Sequence, residues 1–366
     1  MRNFTKSKLI VIKVGTSTLS LNGGVNTTYI KSLAEQIAAL ENAEKQCVLV
    51  TSGAIGMGAG KLKITESVTG VQMRQACAAI GQPLLMTEYR KAFDKLGLTC
   101  AQVLLTAEVL NNRKSYLNLK NAIETLLKLG VVPILNENDC VATDEIGTAF
   151  GDNDKLSALV ASKLDADVLI ILTDIDGLYD KNPKEHSDAK LVKVVYEITG
   201  DILKSAGSKG STFATGGMKT KLEAAKIASN AGCRIVLANG KTKNVITKII
   251  AGDDIGTVFM PKRKLDNRLR WILNSTAKGT VCIDAGAAEA IKKKKSLLVK
   301  GVKSVEGHFD EGDVVMINDL AKAVVNFSDD ELKRIAGRHS SEIKDILGQG
   351  KKDVAATPEN IVFLDY

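Results

Sequence analysis

At 366 residues and 45% hydrophobic, the chain is long enough for about two domains with sizeable cores, and aromatics at 4% leave Val, Ile, Leu and Ala to fill them. No apolar run reaches the roughly 18 residues of a membrane span, and MRNFTKSK leads into a strand without a signal-peptide apolar region, so a cytoplasmic protein is expected. The net charge of +8 is spread out (residues 261–366 hold 19 Lys+Arg against 16 Asp+Glu), which suits small anionic ligands at least as well as a nucleic-acid surface.

Leu9–Val14 (LIVIKV) reads as a buried parallel strand, interrupted only by Lys13. A lysine there needs a partner if buried; the alternative is a strand-end lysine reaching solvent. Gly15-Thr16-Ser17 follows, a small turn whose N–H groups can approach a phosphate. Tyr29–Glu41 has the apolar spacing of an amphipathic helix, and Gln46–Thr51 is the next strand. It runs into Ser52-Gly53 and a glycine-rich bend ending at Gly60. The bend fits neither a dinucleotide fingerprint nor a Walker A loop, and its glycines serve either close approach to a ligand or helix packing. Val71–Ile80 and Leu84–Phe93 read as helices separated at Pro83. Leu98–Leu105 reads as a strand, and Tyr116–Leu129 as a helix stopped by Gly130.

The most informative stretch is 131–164. An apolar strand, Val131–Leu135, ends in Asn136, Glu137, Asn138 and Asp139. A second cluster, Gly151-Asp152-Asn153-Asp154, precedes a helix carrying Leu156, Leu159, Val160 and Leu164. Turn and cap chemistry explains one such cluster. Two clusters within one strand–loop–helix unit point to a ligand site at the carboxyl edge of an open α/β sheet. Val168–Leu172 is a strand ending at Thr173-Asp174, where Asp174 suits a ribose, a base, a metal or a turn cap. Leu191–Ile198 reads as an edge or hairpin strand. Thr212–Lys221 (TFATGGMKTK) opens the helix Thr220–Ala231. Cations at a helix N-terminus oppose its dipole unless an anion binds there, and the other reading is a solvated basic face. Arg234–Ala238 is a further strand. Residues 261–271 are basic and open with proline, as a linker does. Thr280–Ile283, Leu297–Val299, Val314–Ile317 and Ala323–Val325 read as short strands, and Lys292–Lys295 as a solvated face.

Six scattered cysteines without a CxxC argue against a disulfide framework or zinc site, and three histidines lack metal-ligand spacing. Strand–helix alternation over the first roughly 255 residues implies a mostly parallel sheet with helices on both faces. Lys13 and Lys221, both able to reach its carboxyl edge, are the parts needed to hold a transferring phosphoryl group. From the residues alone, the reading stops at phosphoryl transfer.

The strings VIKVGTS, VTSGAI, NENDCVAT, GDNDKLSA, LTDIDGLY and ATGGMKTKLEAA, in this order, resemble the amino-acid kinase family. SLLVKGVKSVEGHFDEGDVVMI is similar to a PUA domain. The pairing of NEND with GDND resembles the branch of the family that acts on glutamate. The resemblance implies a three-layer αβα sandwich with a mostly parallel central sheet at 1–258, a linker at 259–275 and a small mainly-β PUA-like domain at 276–366. It implies ATP-dependent phosphorylation of the glutamate side-chain carboxylate, the first step of proline synthesis. Lys13 and Lys221 would neutralise the phosphoryl oxygens and Asp154 would orient both lysines. Gly15, Thr16, Thr173, Asp174, Thr215, Gly216, Gly217, Met218, Lys219 and Thr220 would join the lysines in holding ATP. Ser52, Gly53, Asn136, Asp139, Asp152 and Asn153 would hold glutamate. Mg²⁺ would be held by the ATP phosphates rather than by a protein metal site. Feedback inhibition by proline, self-association as a dimer or tetramer and a separate reductase for the labile product are also implied. Ala214 departs from the glycine usual in the family. Other members of the family, acting on N-acetylglutamate, aspartate or a nucleotide, and an RNA-binding role for the PUA-like module are the rival readings.

Overall fold

The computed structural model describes residues 2–21, 24–141, 153–183, 185–199, 202, 217–261 and 264–364, and divides into two compact units, 1–264 and 265–366. In the first unit eight strands form one sheet in the order β5-β6-β4-β1-β7-β9-β10-β8. They are β1 (Leu9–Val14), β4 (Gln46–Val50), β5 (Cys100–Leu105), β6 (Val132–Glu137), β7 (Val168–Thr173), β8 (Val194–Val195), β9 (Arg234–Asn239) and β10 (Thr257–Phe259), with a small hairpin of β2 (Ser20–Leu21) and β3 (Gly24–Val25) beside it. The six strands from β5 to β9 run parallel; β10 is antiparallel to β9. The carboxyl ends of β6, β4, β1, β7 and β9 therefore share one edge.

Helices cover both faces, and the alternation of β1 shows how. Ile10, Ile12 and Val14 face α1 (Thr27–Glu41), α3 (Val71–Asp94) and α7 (Val245–Ala251). Val11 faces the core shared with α4 (Arg113–Lys128), α5 (Asp154–Lys163) and α6 (Met218–Ser229). Two positions on, Lys13 points to that second face. The stripe Leu222, Ala225 and Ala228 of α6 is buried, and such small residues let α6 lie close to α5. The first turns of the two helices meet there.

The glycine-rich bend is a helix, α2 (Ala54–Lys61), not an open loop. Helix packing explains two of its flanking contacts. A Cβ at Gly58 would lie 1.8 Å from Cys77 O, and one at Gly81 1.8 Å from Ala54 O. Gly53 is different: it sits at φ +97° where β4 turns into α2, a conformation suited to glycine. The two helices expected on either side of Pro83 are one, α3, with proline inside it. A mid-helix proline costs about 3 kcal/mol, offset here by burial of Leu85, Tyr89 and Phe93 beyond it. Leu191–Ile198 contributes only the two-residue β8 and a bridge from Leu191 to Tyr179.

In the second unit β12 (Val302–Gly307), β11 (Gly279–Ile283), β13 (Val314–Ile317), β14 (Ala321–Val324) and β15 (Ile361–Phe363) form a sheet in that order. Leu297–Val299 is not a strand; Leu297 makes a single bridge and the strand is β12, whose mostly exposed residues hid it. The stretch expected to be a linker carries a helix, α8 (Asn267–Asn274), capped by Asp266 and burying Trp271 and Ile272. Its charged residues masked that helical spacing. Lys292–Lys295 are exposed, and all six cysteines are free thiols. No helix among the described residues is long and apolar enough to cross a membrane.

Candidate active site

Asp154 opens α5 and is fully buried. Its two carboxylate oxygens each meet a lysine: Lys13 Nζ lies 2.7 Å from Oδ1 and Lys221 Nζ 3.1 Å from Oδ2. Lys13 is 2% exposed and Lys221 8%, so the alternative of a solvent-reaching Lys13 is excluded. Burial pushes the Asp154 carboxyl up, but the charges and hydrogen bonds of Lys13 and Lys221 outweigh it and hold the group below the usual carboxylate value. Thr220 Oγ1 lies 3.0 Å from Asp154 Oδ2 and 2.8 Å from Gly217 O, and Lys221 Nζ also donates to Gly217 O at 3.3 Å. Two ammonium groups share one carboxylate, so the cluster holds an excess positive charge in a largely dry setting. Such an arrangement is unfavourable by itself and favours an incoming anion.

Glycines and backbone N–H groups stand beside the two lysines. Gly15 follows β1, and a Cβ there would sit 3.3 Å from Lys13 Nζ. Gly217 caps α6 at φ +94° without a side-chain cap, followed by Met218, Lys219 and Thr220 in the first turn. The helix is twelve residues long and its first N–H groups have no partner within it. Thr173 and Asp174 end β7, beside β1 in the sheet, and Gly240 N donates to Thr173 O at 2.8 Å. Thr16 lies near Gly53, its Cγ2 3.9 Å from where a Cβ of Gly53 would be, which ties the turn after β1 to the turn after β4.

On the other side of β1, neutral side chains form a hydrogen-bonded group with carboxyls beside it. Asn153 stands at the N-cap of α5 in the left-handed region, φ 59°. An N-cap asparagine ordinarily accepts from the helix's own N–H groups; Asn153 makes no such bond. Its Nδ2 instead donates to Thr51 O at 2.7 Å and to Asn136 Oδ1 at 2.8 Å, with Ser52 Oγ 3.2 Å away. Asn136 Nδ2 in turn donates to Gln82 Oε1 at 2.8 Å. Asn153, Asn136 and Ser52 are all buried. Asp139, half-buried after β6, is raised by burial, with Arg74 pulling the other way.

Of the residues singled out in the sequence, the structure gathers Lys13, Asp154, Lys221 and Thr220 into one cluster, and Ser52, Asn136 and Asn153 into a second. Asp152, Thr215 and Gly216, with Gly151 and Ala214, lie outside the described residues. Sequence reasoning missed Gln82, hidden in a helical pattern. Glu137, named in the sequence only as a member of its polar run, is a buried carboxyl that burial first, and then the charge of Asp139, push up to about 7 against the opposing pull of Arg74. Among the described residues no three His, Cys, Asp or Glu side chains are grouped to hold a metal ion.

A family model described as the amino acid kinase family matches residues 8–239, and a PUA domain model matches residues 279–347. The glutamate 5-kinase of Methanosarcina barkeri is 47% identical over 369 residues, covering 97% of this chain and 96% of that protein. The glutamate 5-kinase of Caldanaerobacter subterraneus subsp. tengcongensis is 47% identical, covering 97% and 98%. That of Moorella thermoacetica is 44% identical, covering 98% and 97%.

Proposed function

This chain belongs to the amino acid kinase family, and from that premise we propose that it phosphorylates the side-chain carboxylate of L-glutamate with ATP, giving L-glutamyl 5-phosphate. The observation that carries the chemistry is the buried Lys13–Asp154–Lys221 cluster, with its surplus cation, placed between two differently built strand ends. The relatives at 44–47% identity, each named a glutamate 5-kinase, supply the acceptor.

A glutamate side chain has a pKa of about 4.3, so at neutral pH it is already an ionised nucleophile and needs no general base. One carboxylate oxygen forms a bond to the γ-phosphorus, the β,γ-bridging P–O bond breaks, and its electron pair leaves with ADP. The obstacle is an anion approaching an anion. Lys13 and Lys221 neutralise the phosphoryl oxygens on both sides of that approach, and Asp154 holds both ammonium groups in place. Gly15, Thr16, Thr173, Asp174 and 215–221 hold ATP. Mg²⁺ would be held by the ATP phosphates rather than by a protein metal site, and would supply Lewis-acid charge stabilisation there. Both oxygens of Asp154 are already engaged by lysines, which fits an ion carried by the nucleotide.

Ser52, Gly53, Asn136, Asp139, Asp152 and Asn153 form the acceptor side. With its Nδ2 donating to Thr51 O and Asn136 Oδ1 and sharing one hydrogen with Ser52 Oγ, Asn153 offers a ligand its carbonyl oxygen, which suits an α-ammonium group. The Ser52 hydroxyl suits a carboxylate, and Asp139, Asp152 and Glu137 suit the ammonium. An acidic acceptor side favours an amino acid with a free amino group over an acetylated one. The enzyme works in the cytoplasm, associates with copies of itself, is inhibited by proline and hands its labile product to a separate reductase for proline synthesis. RNA binding by the second unit is a second reading, favoured by its PUA match.

The test is ATP turnover with Mg²⁺ on L-glutamate, N-acetylglutamate, aspartate and a nucleoside monophosphate. Glutamate is expected to give the highest kcat/KM. Preference for any of the others overturns the assignment.

A further inference from the structure

We propose that Gln82 is a positioning residue for the phosphoryl acceptor, setting the orientation of the Asn136 amide and, through Asn136 and Asn153, the hydrogen bonding of Ser52. This rests on the acceptor-side reading of Ser52 and Asn153 above, and adds to it a residue from α3.

The relay runs in one direction. Gln82 Oε1 accepts from Asn136 Nδ2 at 2.8 Å, so Asn136 Oδ1 is turned toward Asn153. Asn153 Nδ2 donates to that oxygen at 2.8 Å and to Thr51 O at 2.7 Å, and reaches Ser52 Oγ at 3.2 Å. A hydroxyl that accepts at its oxygen keeps its own proton to donate elsewhere. Ser52 is thereby left as a donor toward a carboxylate. Rotating the Asn136 amide by half a turn would set its NH₂ against the NH₂ of Asn153, and the relay would lose its direction. Thr51 O, which can only accept, fixes the direction at one end, and Gln82 Oε1 completes it at the other by accepting from Asn136 Nδ2.

Two features of α3 support this role. Gln82 is 7% exposed, and its Nε2 finds no hydrogen-bond partner among the described residues. A buried donor left unpaired is unfavourable, yet glutamine stands here with only its oxygen end employed. Its one side-chain bond to the acceptor side is the one to Asn136, so it acts there through that amide. Gln82 also lies between Gly81 and Pro83, two residues that weaken helices. Gly81 packs against the backbone of Ala54, with a Cβ predicted to meet Ala54 O at 1.8 Å. That contact sets α3 in register with the turn holding Ser52 and Gly53. Seven residues on, Tyr89 Oη lies 2.8 Å from Thr51 Oγ1, a second tie from α3 to the same strand end.

The experiment is a double-mutant cycle in the full-length protein: Gln82→Met, Asn136→Leu and both together, with acceptor and ATP varied separately. Gln82→Met is expected to raise the acceptor KM about tenfold, to leave the ATP KM within about twofold, and to add nothing in the Asn136→Leu background. Additive effects in the double variant, or equal rises in both KM values, overturn the proposal. Should Gln82→Met fail to fold by circular dichroism, Gln82→Asn, which withdraws the amide by one methylene, enters the same cycle with the same two outcomes. The wild-type acceptor panel comes first, and the KM values are read on whichever acceptor it turns over. Preference for another acceptor refutes the glutamate assignment; an additive cycle refutes the role of Gln82; neither result implies the other.

Discussion

The proposed phosphate half of the site, Lys13, Asp154 and Lys221, and the proposed acceptor half, Thr51, Ser52, Asn136 and Asn153, meet at the peptide bond between Asn153 and Asp154. One half is made of charge. Three ionisable groups are removed from water, and the two ammonium groups are tolerable only because Asp154 is there. The other half is made of neutral amides and hydroxyls, whose bonds are individually worth about 1 kcal/mol and whose value is direction. The order of strand ends follows the same division: β6 carries Asn136, β4 leads into Thr51 and Ser52, β1 carries Lys13, and β7 carries Thr173. On the proposed assignment, a phosphoryl group transferred over β1 would move from the β7 side to the β4 side without either substrate crossing the other. The difference predicts that damage to the first half is severe and general, while damage to the second is milder and confined to the acceptor.

The largest effect is expected from Asp154→Ala. It leaves two buried ammonium groups without a carboxylate, and breaking a buried ion pair in this way costs about 3–5 kcal/mol, read as a lower melting temperature together with loss of kcat. Lys221→Ala leaves Lys13 and Asp154 paired, so stability should change little. The loss of transition-state charge stabilisation should cut kcat by about 10²–10³. An unchanged rate would remove Lys221 from the mechanism and collapse the distinction between the halves.

Next in size is Asn153→Ala, which orphans Thr51 O and Asn136 Oδ1. The acceptor KM should rise about 10–100-fold, with a smaller change in the ATP KM. Asn153 sits at φ 59°, which disfavours alanine. Asn153→Gly removes the same amide while easing the backbone. Equal KM effects from both variants, with the glycine variant more stable, would show that the amide and not the strained backbone serves the acceptor. A rise in the ATP KM as large as that for the acceptor would break the comparison.

Much of this was legible in the sequence because charge is conspicuous where it does not belong. Lys13 interrupts LIVIKV, and Lys219 and Lys221 stand at the wrong end of a helix for its dipole. The parallel strands were equally plain, since burial on both faces makes a continuous apolar run. What stayed hidden follows from the same physics. Gln82 lies in a helix whose spacing is ordinary, and nothing in a glutamine reveals which residue it orients. Pro83 reads as a break because local propensity is all a sequence shows, whereas Leu85, Tyr89 and Phe93 carry α3 through it by packing. The helix α8 was taken for a linker because Arg268 and Arg270 obscure the apolar face formed with Trp271 and Ile272, although Arg270 is itself buried. The strand β12 shows the same limit at a sheet edge, where exposure removes the apolar alternation.

A smaller effect tests the acceptor half through pH. Burial, then the charge of Asp139, push Glu137 up to about 7 from the ordinary 4.5, with Arg74 opposing. Below about 7 the group is neutral and cannot attract an ammonium; above it the carboxylate can. The acceptor KM should therefore fall a few-fold as pH rises through about 7, while the ATP KM does not. Stability moves the other way. The folded protein keeps a proton that the unfolded chain releases, so the contribution of Glu137 is present below about 4.5 and lost as pH rises to about 7. Glu137→Gln should flatten both trends. A wild-type acceptor KM that is constant between about pH 6 and 8 would exclude Glu137 from the acceptor half.

The smallest effect is expected from removing the second unit altogether. Both halves of the site are built from the first unit: Lys13 on β1, Ser52 after β4, Asn136 on β6, Asp154 on α5 and Lys221 on α6 all precede the division at Lys264. The second unit has its own core around Val281, Val315 and Phe327 and its own five-stranded sheet. A chain ending at Lys264 should therefore keep a measurable rate, with acceptor and ATP KM values each within a few-fold of the full-length protein. The two KM values carry the information. If truncation raised only the acceptor KM, the second unit would belong with the amide half; if it raised only the ATP KM, with the lysine half. Complete loss of activity in a truncated protein that still melts cooperatively would mean that neither half is self-sufficient.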